Sequence, residues 1–96
     1  MTTAGKCRVH VWVSGRVQGV YFRDATRNEA IRHRIGGWVR NLPDGRVEAV
    51  FEGEPGAVEQ MVHFCHEGPH HASVDGVRVE EEDFRGEFNG FDIRYR

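Results

Sequence analysis

Residues 7–14, CRVHVWVS, alternate strictly, with Val9, Val11 and Val13 on one side and Arg8, His10 and Trp12 on the other. A period of two built on β-branched residues predicts a half-buried strand whose polar set lies on the open face of a sheet. The period changes at Phe22. Phe22, Ala25 or Thr26, Ala30 and Ile31 fall along one side of a helix running to about His33–Arg34, and Gly36–Gly37 punctuate its end. GWVRNL (37–42) and RVEAVFEG (46–53) then read as two strands. They are joined at Pro43–Gly45 by a turn in which proline presets one dihedral angle and glycine supplies another. Pro55 opens a second helix in its first turn, where its missing donor costs nothing. Val58, Met61, Val62 and Cys65 recur at i, i+3, i+4 and i+7 as a core-facing stripe, and Gly68–Pro69 stop that helix. VDGVRVEEE (74–82) is a fourth strand with a bulge expected at Gly76, and FDIRYR (91–96) alternates Phe91, Ile93 and Tyr95 against charged residues as a short last strand.

The order β-α-β-β-α-β, with one strand appended, predicts a ferredoxin-like α/β sandwich: two βαβ halves joined by a hairpin, an antiparallel sheet, and both helices on one face. A chain of 96 residues makes one domain, with residues 1–6 expected as a flexible tail. That fold serves many functions, so the function has to be read from a site.

Composition narrows the classes. Net charge is −2, with acidic and basic residues interspersed up to the Glu80–Asp83 run. The chain lacks the basic stripe that nucleic-acid binding needs to displace counterions, and the acidic run reads as a solvated strand end. No apolar run reaches membrane-spanning length and MTTAGK has no apolar signal core, so a cytoplasmic protein with no membrane partner is expected, as a monomer. Cys7 and Cys65 have no CxxC partner and read as two reduced thiols, a bridge between them staying open. His63, Cys65, His66, His70 and His71 crowd into nine residues, but without a regular four-ligand spacing, and the core stripe claims Cys65. No metal and no other cofactor is expected.

The stretch SGRVQGVYFR (14–23) carries the candidate chemistry. It connects the first strand to the first helix, where backbone N–H groups can converge on an anion and the positive end of the helix dipole reinforces them. Gly15 and Gly19 open backbone angles closed to other residues. Arg23 stands in the first helical turn, where its charge is unfavourable by a few tenths of a kcal/mol, roughly. Its fork could grip a phosphate in two places, as lysine could not. Asn41, near the end of the second strand, does not titrate, but its amide both donates and accepts and could hold a water in line with an electrophile. Spacing alone leaves a tight turn with a surface arginine equally open, and favours Asn41 as a turn-starting residue.

GRVQGVYFR followed by GWVRNLPDGRVEAVFEG resembles both signature blocks of the acylphosphatase family. The first block matches at Gly15, Val17, Gln18, Gly19, Val20, Phe22 and Arg23, the second at Gly37, Trp38, Val39, Asn41, Gly45, Val47 and Gly53. The resemblance implies metal-free hydrolysis of a small-molecule acyl phosphate to a carboxylate and inorganic phosphate, the latter also a competitive ligand. It further implies that Arg23 binds the phosphoryl group and Asn41 orients the attacking water. The backbone amides of Gly15, Arg16, Val17, Gln18, Gly19, Val20 and Tyr21 would cradle the phosphate oxygens. The chain departs from the family after the first helix, where His33–Arg34 replace a leucine-glycine pair. Arg34 would then cost about 1 kcal/mol in a left-handed cap, or the helix would end differently. The rival readings are a non-catalytic ferredoxin-like module for an anion or a partner, and a domain like that of the hydrogenase-maturation carbamoyltransferases.

Overall fold

The computed structural model describes residues 5–95, so most of the tail expected at 1–6 lies outside the described residues. Its elements are β1 (Cys7–Arg16), α1 (Phe22–Arg32), β2 (Gly36–Asn41), β3 (Val47–Gly53), α2 (Pro55–Glu67), β4 (Ser73–Glu82) and β5 (Phe91–Arg94). The sheet order is β4-β1-β3-β2-β5, with the first four of these strands antiparallel to their neighbours. This is the ferredoxin-like arrangement. The sheet as a whole is mixed, because β5 joins the edge parallel to β2, a departure from the all-antiparallel expectation. Residues 83–90 carry the chain from the β4 edge to the opposite edge, which leaves β5 running the same way as β2.

The alternation in β1 holds: Val9, Val11 and Val13 are buried against Phe22, Ala30, Val58, Met61 and Cys65 of the two helices, in one core cluster. Thr26, rather than Ala25, takes the inward position on α1, and its hydroxyl donates to the Phe22 carbonyl (2.8 Å). Ile31, expected on the same side, is exposed instead, since it falls one position beyond the buried Ala30. The Gly36–Gly37 pair begins β2 rather than ending the helix. The bulge expected at Gly76 falls one residue earlier: Gly76 pairs with Ser14, and the β1–β4 register slips between Ser14 and Gly15, skipping Asp75. Both cysteines are free; burial pushes the Cys65 thiol up to about 12, so it behaves as a small apolar side chain.

The outer face of the sheet is less open than the alternation suggests. Arg8 is buried and reaches Glu82 (2.8 Å), Glu52 (3.2 Å) and Glu87 (3.4 Å), while His10 lies between Glu48 (2.7 Å) and Glu82 (3.0 Å) and stacks on Trp12. Glu82 is therefore tied into the network rather than a solvated strand end. Hydrogen bonds from Arg8 first, then His10, hold its carboxyl below the ordinary range. This layer explains why the central strand β3 is buried on both faces.

Helix α1 ends where the sequence departs from the family pattern it resembles. Arg34 sits at φ 58°, its N–H donating to Ile31 (3.2 Å), and the Ile35 N–H donates to Ala30 (2.8 Å). These two bonds make a Schellman cap with arginine at the position that favours glycine. Arg34→Gly is therefore expected to raise stability by about 1 kcal/mol, seen as a higher denaturation midpoint. An unchanged or lower midpoint would show that the arginine side chain compensates for its backbone.

Candidate active site

β1 and β2 both run antiparallel to β3, and β5 runs parallel to β2, so the C-terminal ends of β1, β2 and β5 gather at one end of the sheet. Val13 and Asn41 are both register partners of Val47, which puts Asn41 level with Val13 near the end of β1, with β3 between them. Side-chain parity does the rest. Asn41 shares the core-facing side of β2 with Val39, and Tyr95 continues the side of Phe91 and Ile93, each extending past the point where the core ends. A depression of about 270 Å³ opens there, lined by Val17, Gly19, Tyr21, Phe22, Arg23, Asp24, Asn41, Ile93 and Tyr95.

The connection from β1 to α1 is pinned from below by Val17 and Phe22, both buried, with Val20 packed against the same core. Gly19 takes φ 74°, and nothing lies within 4 Å of where a side chain would begin. Tyr21 is the N-cap of α1 in a left-handed conformation (φ 61°, ψ 24°) that costs a non-glycine residue about 1 kcal/mol. The first helical bond runs from the Ala25 N–H to the Tyr21 carbonyl (3.0 Å). The preceding N–H groups of the first turn thus have no intrahelical acceptor, and the residues that carry them, Phe22, Arg23 and Asp24, line the depression.

The residues expected at the site divide. Arg23, Asn41, Val17, Gly19 and Tyr21 line the depression; Gly15, Arg16, Gln18 and Val20 do not. Gly15 and Arg16 are the last residues of β1, and a Cβ at Gly15 would collide with the Ser73 carbonyl of β4. Glycine is needed there for strand approach. The Gln18 side chain turns toward the hairpin, donating through Nε2 to the carbonyls of Leu42 (2.8 Å) and Arg46 (2.9 Å). It ties the loop to the segment that carries Asn41, a bond that no local sequence signal announces. Tyr95 and Ile93 lie outside both signature blocks and join the site only in the folded chain, although the alternation of the last strand puts both on the side of Phe91.

Two features give the depression its chemistry. The Arg23 guanidinium lies over the Tyr95 ring (5.1 Å to the centroid) and, among the described residues, pairs with no carboxylate. The Asn41 Oδ1 is buried and has no hydrogen-bond partner among the described residues. Such an orphan costs about 1–3 kcal/mol and calls for a donor from outside the protein. The histidines of residues 63–71 contribute nothing to this wall. His63, His66, His70 and His71 are exposed, Cys65 turns into the core, and no three metal-ligating side chains converge among the described residues.

Fold and site together define a ferredoxin-like domain whose polar depression is lined by Arg23, which pairs with no carboxylate among the described residues, and by Asn41, whose amide oxygen is unsatisfied among them. The family model described as Acylphosphatase matches residues 9–93. The chain is 67% identical to an acylphosphatase of Rubrobacter xylanophilus over 91% of this chain and 79% of that one, and 58% identical to one of Syntrophobacter fumaroxidans over 94% and 93%. The solved structure of an acylphosphatase from Coxiella burnetii superposes with a TM-score of 0.91 at 38% identity, covering 98% of this chain and 100% of that one. The chain belongs to the acylphosphatase family.

Proposed function

We propose that Arg23 and the amides of the Gly15–Tyr21 connection hold the phosphoryl group while Asn41 aims the water, in a reaction that hydrolyses an acyl phosphate to a carboxylate and inorganic phosphate. The observation that carries this division of labour is that Asn41, whose buried Oδ1 has no partner among the described residues, lines the same depression as Arg23, which pairs with no carboxylate among them. A water donating to Oδ1 would present its lone pair to a phosphorus seated at Arg23. The bond from the water oxygen to phosphorus forms as the bond from phosphorus to the acyl oxygen breaks, and the carboxylate leaves with the bonding pair. The water's proton passes to a phosphoryl oxygen of the substrate, so no side-chain base is required.

The chemistry suits so sparse a site. A carboxylate is a good leaving group and the phosphoryl transition state is loose, so catalysis reduces to positioning and charge stabilisation. Each preorganised donor can contribute on the order of 3 kcal/mol, and the guanidinium fork and the first-turn amides of α1 are such donors.

Purified protein is expected to hydrolyse benzoyl phosphate at the same rate with and without EDTA, with inorganic phosphate competing. Loss of activity in EDTA and recovery with zinc would redirect attention to His63–His71. Absence of turnover in either condition would favour an inert anion-binding module.

A further inference from the structure

Arg23 poses a problem of positioning. An arginine side chain is long and rich in rotamers, and this one begins in the first turn of α1, where the helix dipole repels it. The usual way to fix a guanidinium is a carboxylate clamp, as Glu52 and Glu82 provide for Arg8 and Glu48 for Arg40. At Arg23 the same clamp would defeat the site, because it would occupy the fork and cancel the charge that an anion must meet. Asp24 also lines the depression, but it makes no ion pair with Arg23, and its place in the first turn is one that the dipole favours. Among the described residues, what touches the guanidinium instead is a π-face: Tyr95, one residue past the end of β5, with its ring centroid 5.1 Å from the Arg23 Cζ. A ring attracts the flat cation and restricts its plane, yet leaves its N–H edges and its full charge available.

We propose that Tyr95 is a positioning residue, which orients the Arg23 guanidinium for the phosphoryl group without neutralising it; this rests on Arg23 being the side chain that holds that group. The Tyr95 side chain is 78% exposed, far more than packing requires, so its place over Arg23 is not a by-product of core burial. The appended strand β5 thereby acquires a role in the site: its parallel pairing with β2 delivers the ring to the end of the sheet where α1 begins.

The test is kinetic and uses the full chain with benzoyl phosphate as substrate and inorganic phosphate as competitor. Tyr95→Phe, which keeps the ring, is expected to match the wild type. Tyr95→Leu is expected to raise the phosphate Ki about two- to fivefold, as a cation–π contact at an exposed site allows. It should lower kcat/KM by about tenfold, since misplacement costs more in the transition state. In an Arg23→Ala background the same Tyr95→Leu change should have no further effect on phosphate Ki. A Tyr95→Leu enzyme with unaltered Ki and kcat/KM would overturn the proposal, as would an equal loss in Tyr95→Phe, or effects of Tyr95→Leu that persist undiminished without Arg23. Wild-type protein that does not turn over benzoyl phosphate would instead bring down the assignment of the site itself.

Discussion

Arg23→Ala is expected to reduce kcat/KM for benzoyl phosphate by about a thousandfold or more, the scale on which an arginine acts in phosphoryl transfer. The phosphate Ki should rise with it, because the same fork holds the anion in the ground state. The protein itself should be little affected. Arg23 makes no ion pair among the described residues, its cation–π contact with Tyr95 is worth about 0.5–1 kcal/mol, and removing a cation from the first turn of α1 returns a few tenths. Large loss of function with near-constant stability distinguishes this residue from Arg8, whose buried partner Glu52 would be left without its guanidinium. Arg23→Lys should recover only a small part of the activity, since it keeps the charge and loses the fork. Steady-state rates with phosphate inhibition check all of this, and an unchanged Ki in Arg23→Ala would remove the residue from the anion seat.

Asn41→Ala should show the opposite division. We expect kcat to fall by about a hundredfold or more, the loss that accompanies an unpositioned nucleophile, with the phosphate Ki nearly unchanged. Stability should hold or rise. The native protein keeps a buried amide oxygen without a partner, at a cost of about 1–3 kcal/mol, and alanine removes that oxygen. A gain in denaturation midpoint accompanying a loss of turnover would mark the orphan as a feature retained for function. Wild-type turnover by Asn41→Ala would rule out the water-holding role.

The parts of the molecule that are legible in the sequence are those governed by local period. Val9, Val11 and Val13 announce β1, the stripe through Val58, Met61 and Cys65 announces α2, and the Pro43–Gly45 turn joins β2 to β3 as expected. Two blocks far apart in the chain also name Arg23 and Asn41, and the strand register brings both to one depression. What escapes depends on distant partners. The direction of β5 is set by the path of residues 83–90 across the sheet, which no pattern within the strand encodes. The need for glycine at Gly15 comes from the close approach of β4, and the Gln18 side chain finds its acceptors only on the hairpin, neither of which the loop's own sequence shows. The outer face looks solvated in the sequence because Arg8, Glu48 and Glu52 are charged; the pairing of Arg8 with Glu52 and Glu82, and of Glu48 with His10 and Arg40, is what permits their burial. Tyr95 is readable by parity alone, but its contact with Arg23 joins residues at opposite ends of the chain.

The central claim is that the water on Asn41 is aimed at phosphorus, and the fate of the solvent oxygen tests it most directly. Benzoyl phosphate hydrolysed by the enzyme in water enriched in oxygen-18, at enzyme levels that outrun the uncatalysed reaction, should place the label in inorganic phosphate and leave benzoate unlabelled. Label in benzoate would mean attack at the acyl carbon and would contradict the roles proposed for Asn41 and Arg23.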